Sequence, residues 1–497
     1  MNHKCGIVGL WSKNRQKAIN LINPLKKLQH RGRESCGITI IQQLNSVENN
    51  NQNNNQNKFF KNINGLGMVS EVFDNINNIN NEEILSGIGH VRYSTSGKSK
   101  TDKQQALAEV QPHLLEDKIS VCHNGNIPNI REIQEYINQN EKSLSQELEY
   151  EITNDTLVIS DFLIKSINNQ NNQENIENIL KKLIKYFKYA FCILILTKDE
   201  LYAVRDMYGY RPLCYGYNSE NESYLLASES VALVNHKLIR EIDPGEIIKI
   251  NKNGVSSLID ISFKNFQKCI FEYIYFANEN STIDEKLIYQ FRYNCGKLLA
   301  KQETINFNNN VNTNSNTSDF IVIGSPNTGI PGGKGYADEL GLPYAQYLRK
   351  KPDCGRTFIL PNQSDRIKYL NKFDLDKELL KDKKIILVDD SIVRGNTIKS
   401  LNRFLKEYAN IKELHIRILS PPLKSPCFFG VDIPTKEELI INKMNITEII
   451  KTTGIESLIY LDINNLKQNF NNIKDKSDNY CYGCFTGEYI KDISLLF

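Results

Sequence analysis

A hydrophobic run passes directly into a polar, glycine-containing loop in the stretch KIILVDDSIVRGNT, residues 384–397. The run 384–388 is short and apolar, as expected of a strand that is buried on both faces. Beyond the loop, Ile398, Leu401 and Leu405 recur at helical spacing, which predicts that an amphipathic helix follows at once. The stretch therefore predicts a loop at the carboxyl end of a parallel strand, where ligands commonly bind in open α/β sheets.

The side chains of this loop suit a ligand that carries both phosphate and sugar hydroxyls. Backbone N–H groups at a helix N-terminus favour phosphate, and Gly395 lets the backbone come close. The carboxylates of Asp389 and Asp390 can bind ribose hydroxyls directly, or an Mg²⁺ ion that bridges hydroxyls and pyrophosphate oxygens. A strand, turn and helix with merely capping aspartates is the structural alternative, but the complete string is far more specific than a lone glycine-rich loop.

Length, charge and cysteine content narrow the class of protein. A chain of 497 residues, 40% of them hydrophobic, is long enough for two domains. A net charge of +3 from 61 basic and 58 acidic residues predicts neither a nucleic-acid nor a membrane partner, and no apolar stretch reaches the roughly 18–20 residues of a membrane span. The 11 scattered cysteines indicate a reducing compartment, so we expect a cytosolic protein.

The hydrophobic pattern changes along the chain and predicts two domains. In residues 5–260, short strands mix with helices without strict alternation, which is typical of an α+β domain. In residues 261–497, apolar runs such as 320–323 and 414–419 alternate with amphipathic helices, which predicts an α/β domain with a parallel sheet. In the first domain, we expect strands at 6–11, 86–92, 119–122, 190–196, 201–205 and 224–228, and helices at 18–29 and 155–166.

Three asparagine-rich tracts interrupt this pattern, at residues 45–57, 168–178 and 308–316. Such composition buries too little apolar surface to offset the entropy of an ordered chain. We predict that the tracts are disordered surface insertions.

Cys5 stands at the start of a predicted strand with four residues before it. If residues 1–4 are removed, the α-amine of Cys5 can act as the base that activates the thiol, because the pKa of a free α-amine is ordinarily about 8. Gly6 is expected to leave space for a substrate. Position alone is weak evidence, because a cysteine near a terminus is usually an ordinary small apolar residue.

Four further residues suit an amino acid with a side-chain amide to hydrolyse. Arg92, at the end of a predicted strand, can grip a carboxylate through two hydrogen bonds. The Asn124 amide and the Gly125 N–H can meet an oxyanion, and Asp155 can bind an amino group. Each has a structural alternative: Arg92 in an internal ion pair, Asn124-Gly125 as a turn, and Asp155 as a helix cap.

Together these motifs resemble the glutaminase domain of the N-terminal-nucleophile amidotransferases. The matching strings are CGIVG at 5–9, HRG at 30–32, GHVRYST at 89–95, HNGN at 123–126, NDT at 154–156 and RDMYGYRPL at 205–213. The resemblance implies an αββα sandwich, a glutamyl thioester on Cys5, an oxyanion hole of Asn124 and Gly125, and a propeptide of residues 1–4. Arg92 would hold the carboxylate of glutamine and Asp155 its amine. The string RESC at 33–36 departs from the usual family pattern, and no role is assigned there.

The loop at 389–397 closely resembles the phosphoribosyl diphosphate signature of type I phosphoribosyltransferases. With the glutaminase motifs upstream, the chain is identified as a member of the amidophosphoribosyltransferase family. The resemblance implies that the following residues bind phosphoribosyl diphosphate: Asp389, Asp390, Ser391, Ile392, Val393, Arg394, Gly395, Asn396 and Thr397.

Two flanking segments extend this resemblance. GSPNTG at 324–329 resembles the loop on the pyrophosphate side, which implies that Thr328 joins Asp389 and Asp390 around Mg²⁺. Asn327 departs from the acidic residue that is common in the family. Arg356 and Lys372 look like part of a mobile loop that closes over the ligand.

Cys481 and Cys484 have the two-residue spacing that lets both thiolates reach one metal centre. Cys269 and Cys427 occupy the positions at which the cluster-containing branch of the family has its other ligands. The resemblance therefore implies a structural [4Fe-4S] cluster. Spacing alone does not separate iron–sulfur from zinc, because both accept four thiolates.

The resemblance predicts that the chain joins two reactions in the first committed step of purine synthesis. Glutamine would release ammonia at Cys5, and the ammonia would displace pyrophosphate from phosphoribosyl diphosphate. It also implies homo-oligomers, as dimers or tetramers, that purine nucleotides inhibit. Two alternatives stay open: a regulator that binds phosphoribosyl diphosphate without turnover, and an ammonia-dependent transferase in which residues 1–4 are retained.

Overall fold

The computed structural model of the protein describes most of the chain. The described residues are 5–43, 58–92, 103–127, 133–135, 137, 155–169, 174–187, 189–259, 266–305, 307, 319–351, 373–431, 433, 435–470 and 479–489. The tracts at 45–57 and 308–316 lie outside these residues, and so do Arg356 and Lys372. No helix in the described part is both long enough and apolar enough to cross a membrane.

Two antiparallel sheets build the first half of the molecule. In spatial order, the first contains Lys237–Glu241, Cys214–Asn218, Ser223–Ala227, Gly6–Lys17, Glu83–Arg92, Ser35–Gln43 and Lys58–Leu66. The second contains Gly254–Ile259, Glu246–Asn251, Leu201–Arg205, Ala190–Leu196, Ile119–Asn126 and His113–Leu115.

The two sheets stack face to face, and helices cover their outer faces. Ile7 and Ile88 of the first sheet pack with Leu194 and Ile248 of the second in one buried cluster. The helix Ile19–Lys27 covers the outer face of the first sheet. The helices Asp155–Asn168 and Ile176–Tyr186 cover the second. This arrangement confirms the predicted αββα sandwich.

A parallel sheet forms the centre of the second half. Its order is Phe320–Gly324, Lys384–Asp389, Glu413–Ile418 and Ser457–Tyr460, and every pairing is parallel. Ile386 and Val388 point into one buried cluster, whereas Ile385 and Leu387 point into another. Since both faces are buried, the apolar run at 384–388 needs no polar alternation, and the predicted α/β domain with a parallel sheet is confirmed.

The remaining elements connect and cover these sheets. Short paired strands are Lys268–Cys269 with Tyr480–Cys481, Thr282–Ile283 with Lys286–Leu287, and Leu348–Lys350 with Phe373–Leu375. The other α-helices are Val69–Phe73, Lys103–Ala108, Ile288–Ala300, Ile330–Leu340, Lys377–Leu380, Asn396–Ala409, Ile440–Lys443, Ile446–Thr453, Ile463–Gln468 and Gly483–Thr486. Single turns of 3₁₀-helix lie at Ile79–Asn81, Ser230–Ala232 and Lys436–Glu438, and Glu272–Phe276 is a π-helix.

Part of the second asparagine-rich tract is ordered, so the prediction for residues 168–178 is wrong at both ends. Asn168 ends one helix, and Asn175 caps the next by accepting a hydrogen bond from the N–H of Asn178 at 2.9 Å. Asparagine is a preferred N-cap, because its side-chain oxygen satisfies a free N–H of the first turn. Amphipathic spacing after Ile176 therefore outweighs the composition of the tract.

A buried ion pair attaches the segment after the helix Ile288–Ala300 to the parallel sheet. Arg417 is 0% exposed and donates from Nε to Glu303 at 2.6 Å and from Nη2 at 3.0 Å. Its Nη1 donates to Ser457 Oγ at 2.9 Å. The loss of either charge would leave its partner buried without compensation.

We predict that Glu303→Ala lowers the free energy of unfolding by about 3–5 kcal/mol, because it leaves Arg417 buried and unpaired. Chemical and thermal denaturation of the purified variant measure this loss. Glu378→Ala is the control, because the side chain of Glu378 is 77% exposed and surface changes usually stay within about 0.5 kcal/mol. Equal stability of the two variants would contradict the assignment.

Candidate functional site

The first candidate centre, called here the Cys5 centre, consists of Cys5, Arg92, Asn124, Gly125 and Asp155. Cys5 directly precedes the strand Gly6–Lys17, and Arg92 ends the neighbouring strand. Burial raises the pKa of the Cys5 thiol to about 11; Arg92 opposes that rise, whereas Asp155 adds to it. The thiol and these two charged groups therefore lie within electrostatic reach of one another, and the thiol is protonated at neutral pH unless a base removes its proton.

Asn124 and Gly125 lie within the last residues of the strand Ile119–Asn126, not after it as the sequence suggested. The Asn124 amide donates to Ser228 Oγ at 3.4 Å, and that oxygen also accepts from the N–H of Ile7 at 3.0 Å. This bridge connects the predicted oxyanion donor with the strand that follows Cys5. A Cβ on Gly125 would lie 2.0 Å from the carbonyl oxygen of Ala190, so only glycine fits there.

Asp155 is the first residue of its helix, as predicted. Its Oδ2 accepts from the N–H of Ile127 at 3.3 Å and lies 3.7 Å from His123 Nδ1. His123 is buried, and burial lowers its pKa. A neutral imidazole leaves the Asp155 charge available for an external amino group.

Arg92 has a partner in this structure. Its Nη2 donates to Glu109 Oε2 at 2.5 Å, and its Nη1 donates to the carbonyl oxygen of Glu109 at 3.3 Å. Both side chains are mostly buried, at 13% and 9% exposed. The internal ion pair that was the structural alternative for Arg92 is therefore present, and an external carboxylate has to compete with Glu109.

Gly6 does not open the site as the sequence suggested. A Cβ at this position would come within 3.0 Å of the Val91 side chain and 3.1 Å of Leu28. The residue is glycine because the sandwich is tightly packed beside Cys5.

The second candidate centre, called here the Asp389 loop, consists of residues 389–397 at the carboxyl end of the central parallel strand. Thr328 Oγ1 donates to Asp390 Oδ1 at 2.6 Å, and Ser391 Oγ donates to Asp390 Oδ2 at 2.7 Å. The N–H of Asp390 donates to Asp389 Oδ1 at 2.9 Å. The structure thus brings Thr328 to the two aspartates, although it lies 62 positions before Asp390 in the sequence.

Electrostatics at the Asp389 loop favour a cation. Burial and the neighbouring Asp390 carboxylate raise the pKa of Asp389 well above its usual range. A cation beside the pair would relieve their repulsion. Among the described residues, no group of three or more His, Cys, Asp or Glu side chains is arranged to hold a metal ion, so two carboxylates and a hydroxyl are the protein's contribution here.

The helix Asn396–Ala409 begins at this loop with Gly395 as its N-cap, at φ 75°. Glycine has no side chain with which to cap the first N–H groups. The N–H of Ile398 donates to the carbonyl oxygen of Gly395 at 3.1 Å, and an uncapped helix start of this kind favours phosphate. Ile392 is buried, and the carbonyl oxygen of Val393 accepts from the N–H of Ile440 at 2.9 Å. Arg394 points outward and pairs with Glu438 at 2.6 Å.

The four cysteines predicted as cluster ligands lie within electrostatic reach of one another near the junction of the two halves, although, among the described residues, their thiols do not form a group arranged to hold a metal ion. Cys269 and Cys481 are direct partners in a short parallel strand pair. Burial raises the pKa of Cys484 well above its usual value, and Cys481, Cys427 and Cys269 raise it further. Cys427 Sγ accepts from the N–H of Phe429 at 3.3 Å. The four thiols thus converge from three distant parts of the chain.

Several residues at the Cys5 centre have contacts that the sequence did not reveal. Arg31 donates from Nε to the carbonyl oxygen of Cys5 at 2.9 Å, and Arg31 and Arg211 both bond to Glu272. Arg31 and Arg211 lie in recognised strings without an assigned role. Glu272 carried a signal that could have been noticed, because it is a charged residue in the aromatic run FEYIYF at 271–276. Ser228 and Glu109 carried none.

Comparison with known proteins finds a related domain for each half of the chain. A model of the glutamine amidotransferase domain matches residues 99–235, and a model of the phosphoribosyl transferase domain matches residues 298–419. The chloroplastic amidophosphoribosyltransferase of Vigna aconitifolia is 34% identical and covers 98% of this chain and 91% of that protein. The amidophosphoribosyltransferase of Homo sapiens is 33% identical, covering 93% and 91% respectively.

Solved structures show the same similarity along the whole chain. The glutamine phosphoribosylpyrophosphate amidotransferase of B. subtilis, complexed with ADP and GMP, is 30% identical with a TM-score of 0.79, covering 98% of this chain and 97% of that one. A structure described as the allosteric regulatory enzyme of purine biosynthesis is also 30% identical, with a TM-score of 0.80 and coverage of 98% and 96%. With two such centres in one fold and this identity over nearly its full length, the chain belongs to the amidophosphoribosyltransferase family.

Proposed function

We propose that this protein converts glutamine, water and phosphoribosyl diphosphate into 5-phosphoribosylamine, glutamate and pyrophosphate, the first committed step of de novo purine synthesis. The observation that carries the proposal is that the Cys5 centre and the Asp389 loop lie in one chain that is similar to amidophosphoribosyltransferases over 98% of its length. A regulator without turnover would not need the Cys5 centre, so the enzyme is the stronger interpretation.

At the first centre, the Cys5 thiol attacks the side-chain carbonyl carbon of glutamine. A carbon–sulfur bond forms, the carbon–nitrogen bond breaks, the thiol proton leaves with ammonia, and water then hydrolyses the thioester to glutamate. Because burial raises the thiol pKa to about 11, a base is required. We propose that the base is the α-amine of Cys5 after removal of residues 1–4.

The other residues of the Cys5 centre hold glutamine in place for this attack. Arg92 binds the α-carboxylate and Asp155 binds the α-amine. The Asn124 amide and the Gly125 N–H stabilise the oxyanion that forms on the amide carbonyl. Because Arg92 Nη2 donates to Glu109, binding of glutamine exchanges an internal carboxylate for the carboxylate of the substrate.

At the second centre, ammonia attacks C1 of the ribose. The new carbon–nitrogen bond forms as the bond to pyrophosphate breaks, and the nitrogen loses a proton. Free N–H groups at the helix start hold the 5-phosphate, while Asp389, Asp390 and Thr328 hold the ribose hydroxyls or Mg²⁺. When bound, Mg²⁺ neutralises charge on the leaving pyrophosphate. Arg356 and Lys372, outside the described residues, are proposed to close over the ligand.

We further propose a [4Fe-4S] cluster held by Cys269, Cys427, Cys481 and Cys484. What supports it is that the buried thiol of Cys484 and the three partly buried thiols lie within electrostatic reach of one another, so that as thiolates they would repel one another unless a metal centre compensated them. Each thiolate of a cubane binds a different iron, so its ligands stand farther apart than those of a single ion. Its role would be structural, because it would join the C-terminal strand Tyr480–Cys481 to the middle of the chain.

Regulation and assembly are proposed by analogy with the relatives. We propose that purine nucleotides inhibit the enzyme, since the B. subtilis structure was obtained as a complex with ADP and GMP. We also propose that the protein forms a homo-oligomer, a dimer or tetramer, and that it is located in the cytosol.

The two half-reactions are expected to separate in Cys5→Ala. We predict that this variant loses glutamine-dependent synthesis by about 1,000-fold or more, because the nucleophile is gone, but keeps ammonia-dependent synthesis. Steady-state assays with each nitrogen donor test this, with Cys36→Ala as the buried-thiol control.

N-terminal sequencing of the wild type should begin at Cys5; an intact Met1 or Asn2 in a glutamine-active enzyme would contradict the role of the α-amine.

Removing the charge of Glu109 is expected to strengthen glutamine binding. Glu109→Gln frees Arg92, so we predict a KM for glutamine about three- to tenfold lower with kcat little changed, because one charge-assisted hydrogen bond no longer competes. Glu116→Gln, at an exposed pair with Lys118, is the control. A higher KM for Glu109→Gln would mean that Glu109 positions Arg92 for the substrate instead of competing with it.

The cluster proposal predicts a brown protein. Anaerobic purification should yield about four irons per chain, and Cys484→Ser should lose both iron and colour, whereas Cys295→Ser should keep them. Metal analysis and the visible spectrum measure this. A colourless protein with stoichiometric zinc would show that the four thiolates hold a different metal.

A further inference from the structure

Arg31 connects the residue that carries the nucleophile to buried carboxylates. Its Nε donates to the carbonyl oxygen of Cys5 at 2.9 Å. The two remaining nitrogens of the guanidinium bind carboxylates: Nη1 and Nη2 donate to the two oxygens of Glu272 at 3.0 and 2.8 Å, and Nη1 also donates to Glu229 at 2.5 Å. The side chain of Arg31 is 0% exposed, so these bonds are not shared with bulk solvent.

Glu272 comes from the second half of the chain. It lies in the π-helix Glu272–Phe276, whose aromatic residues pack into the core around the parallel sheet. Its Oε1 also accepts from Arg211 Nη1 at 2.9 Å. The carboxylate therefore sits between two arginines of the first half and is fixed from both sides.

Glu229 makes the reciprocal connection, from the first half to the second. Its Oε2 accepts from the N–H of Asn278 and from Ser281 Oγ, both at 2.7 Å. Its Oε1 accepts from Arg31 and lies 2.8 Å from His30 Nε2. The segment 272–281 is thus held at one end by Arg31 and Arg211 and at the other end by Glu229.

Arg31, Arg211, Glu229 and Glu272 form one buried group of two cations and two anions. Their charges balance only when all four residues are present. Burial opposes charge on Arg31, but Glu272 and Glu229 raise its pKa. Burial likewise opposes charge on Glu272, but Arg31 and Arg211 lower its pKa. Two cations and two anions thus share a dry site, where removing one charge leaves a neighbour uncompensated.

The planar guanidinium of Arg31 also holds the carbonyl group of Cys5 in a fixed position relative to Glu272. With Nη1 and Nη2 bound in a fork to Glu272, the direction of the Nε–H bond is fixed. That bond fixes the peptide plane between Cys5 and Gly6 and, with it, the position of the Cys5 Cα. Since the next residues are held by the strand and by Ser228, the bond from Arg31 fixes the point from which the thiol side chain leaves the backbone.

We propose that Glu272 is a positioning residue for the Cys5 nucleophile and acts through Arg31. The inference rests on the proposed role of Cys5. It places in the second half of the chain a side chain on which hydrolysis of glutamine in the first half depends.

The test is Glu272→Gln, which keeps the shape of the side chain and removes its charge. We expect kcat for glutamine hydrolysis to fall about 100-fold, the size of effect that a small misplacement of a reacting group causes. The KM for glutamine should change less than about twofold, and ammonia-dependent synthesis less than about threefold, because neither depends on the orientation of the thiol. Saturation kinetics with a diazoketone analogue of glutamine should show slower labelling of Cys5 at unchanged half-saturation.

Glu246→Gln is the matched control. Glu246 is also 0% exposed and accepts from an arginine, Arg240, but its other bonds go to Asp243 and Ser257. It should lose comparable stability and keep glutamine hydrolysis. Arg31→Lys retains the buried charge but not the fork, so it should reproduce the fall in kcat even if Glu272→Gln does not fold.

The outcomes separate this inference from the proposed function. If Cys5→Ala abolishes glutamine hydrolysis but Glu272→Gln and Arg31→Lys keep it, the positioning role is overturned and the function stands. A parallel fall of both donor reactions, or an equal fall in Glu246→Gln, would also overturn it, since it would indicate a general loss of structure. If Cys5→Ala retains hydrolysis, the role of Cys5 itself is wrong.

Discussion

Two arginines and two glutamates lie buried together where the two halves of the chain meet. Arg31 and Arg211 meet Glu229 and Glu272 with none of the four residues more than 2% exposed. Burying four charges costs several kcal/mol for each ion unless they are paired and hydrogen-bonded. The two halves therefore have to meet in one orientation, because a small rotation would separate charges that no water can solvate.

That orientation places the remaining contacts of the junction. The Asn126 amide, one residue beyond the oxyanion pair, donates to the carbonyl oxygen of Phe428 at 2.9 Å. Arg211 also donates to the carbonyl oxygen of Phe429 at 2.8 Å. Residues beside Cys427 thus lie directly on the end of the strand that carries Asn124 and Gly125. The segment beside Cys427 therefore packs against the same strand end that contributes Asn124 and Gly125 to the Cys5 centre.

The parallel sheet imposes a second, local constraint. Adjacent parallel strands end at the same edge, so the loop after Phe320–Gly324 and the loop after Lys384–Asp389 are brought together. The hydrogen bond from Thr328 to Asp390 is the result. A helix start and two carboxylates at one edge of the sheet suit a ligand with a phosphate at one end and hydroxyls at the other. This centre needs only local geometry and one strand pairing.

For this reason the Asp389 loop could be predicted from the sequence almost completely. An apolar run of four residues, two aspartates, a glycine and an amphipathic helix follow one another along the chain, and strand and helix periodicity fix their order in space. The fold class of each half followed in the same way from periodicity. The error at residues 168–178 arose because composition averages over a tract, whereas a helix cap depends on a single side chain.

The sequence also indicates which residue types stand at the Cys5 centre, but not what they contact. The pairing of Arg92 with Glu109 and the hydrogen bond from Arg31 to the Cys5 carbonyl are visible only in the folded molecule. Folding alone brings Glu272 to Arg31, across 241 residues. The physical reason is that pairing of buried charges depends on distance and desolvation in the folded molecule. Neither quantity is encoded in local periodicity, so a residue's identity could be read from the chain while its partner could not.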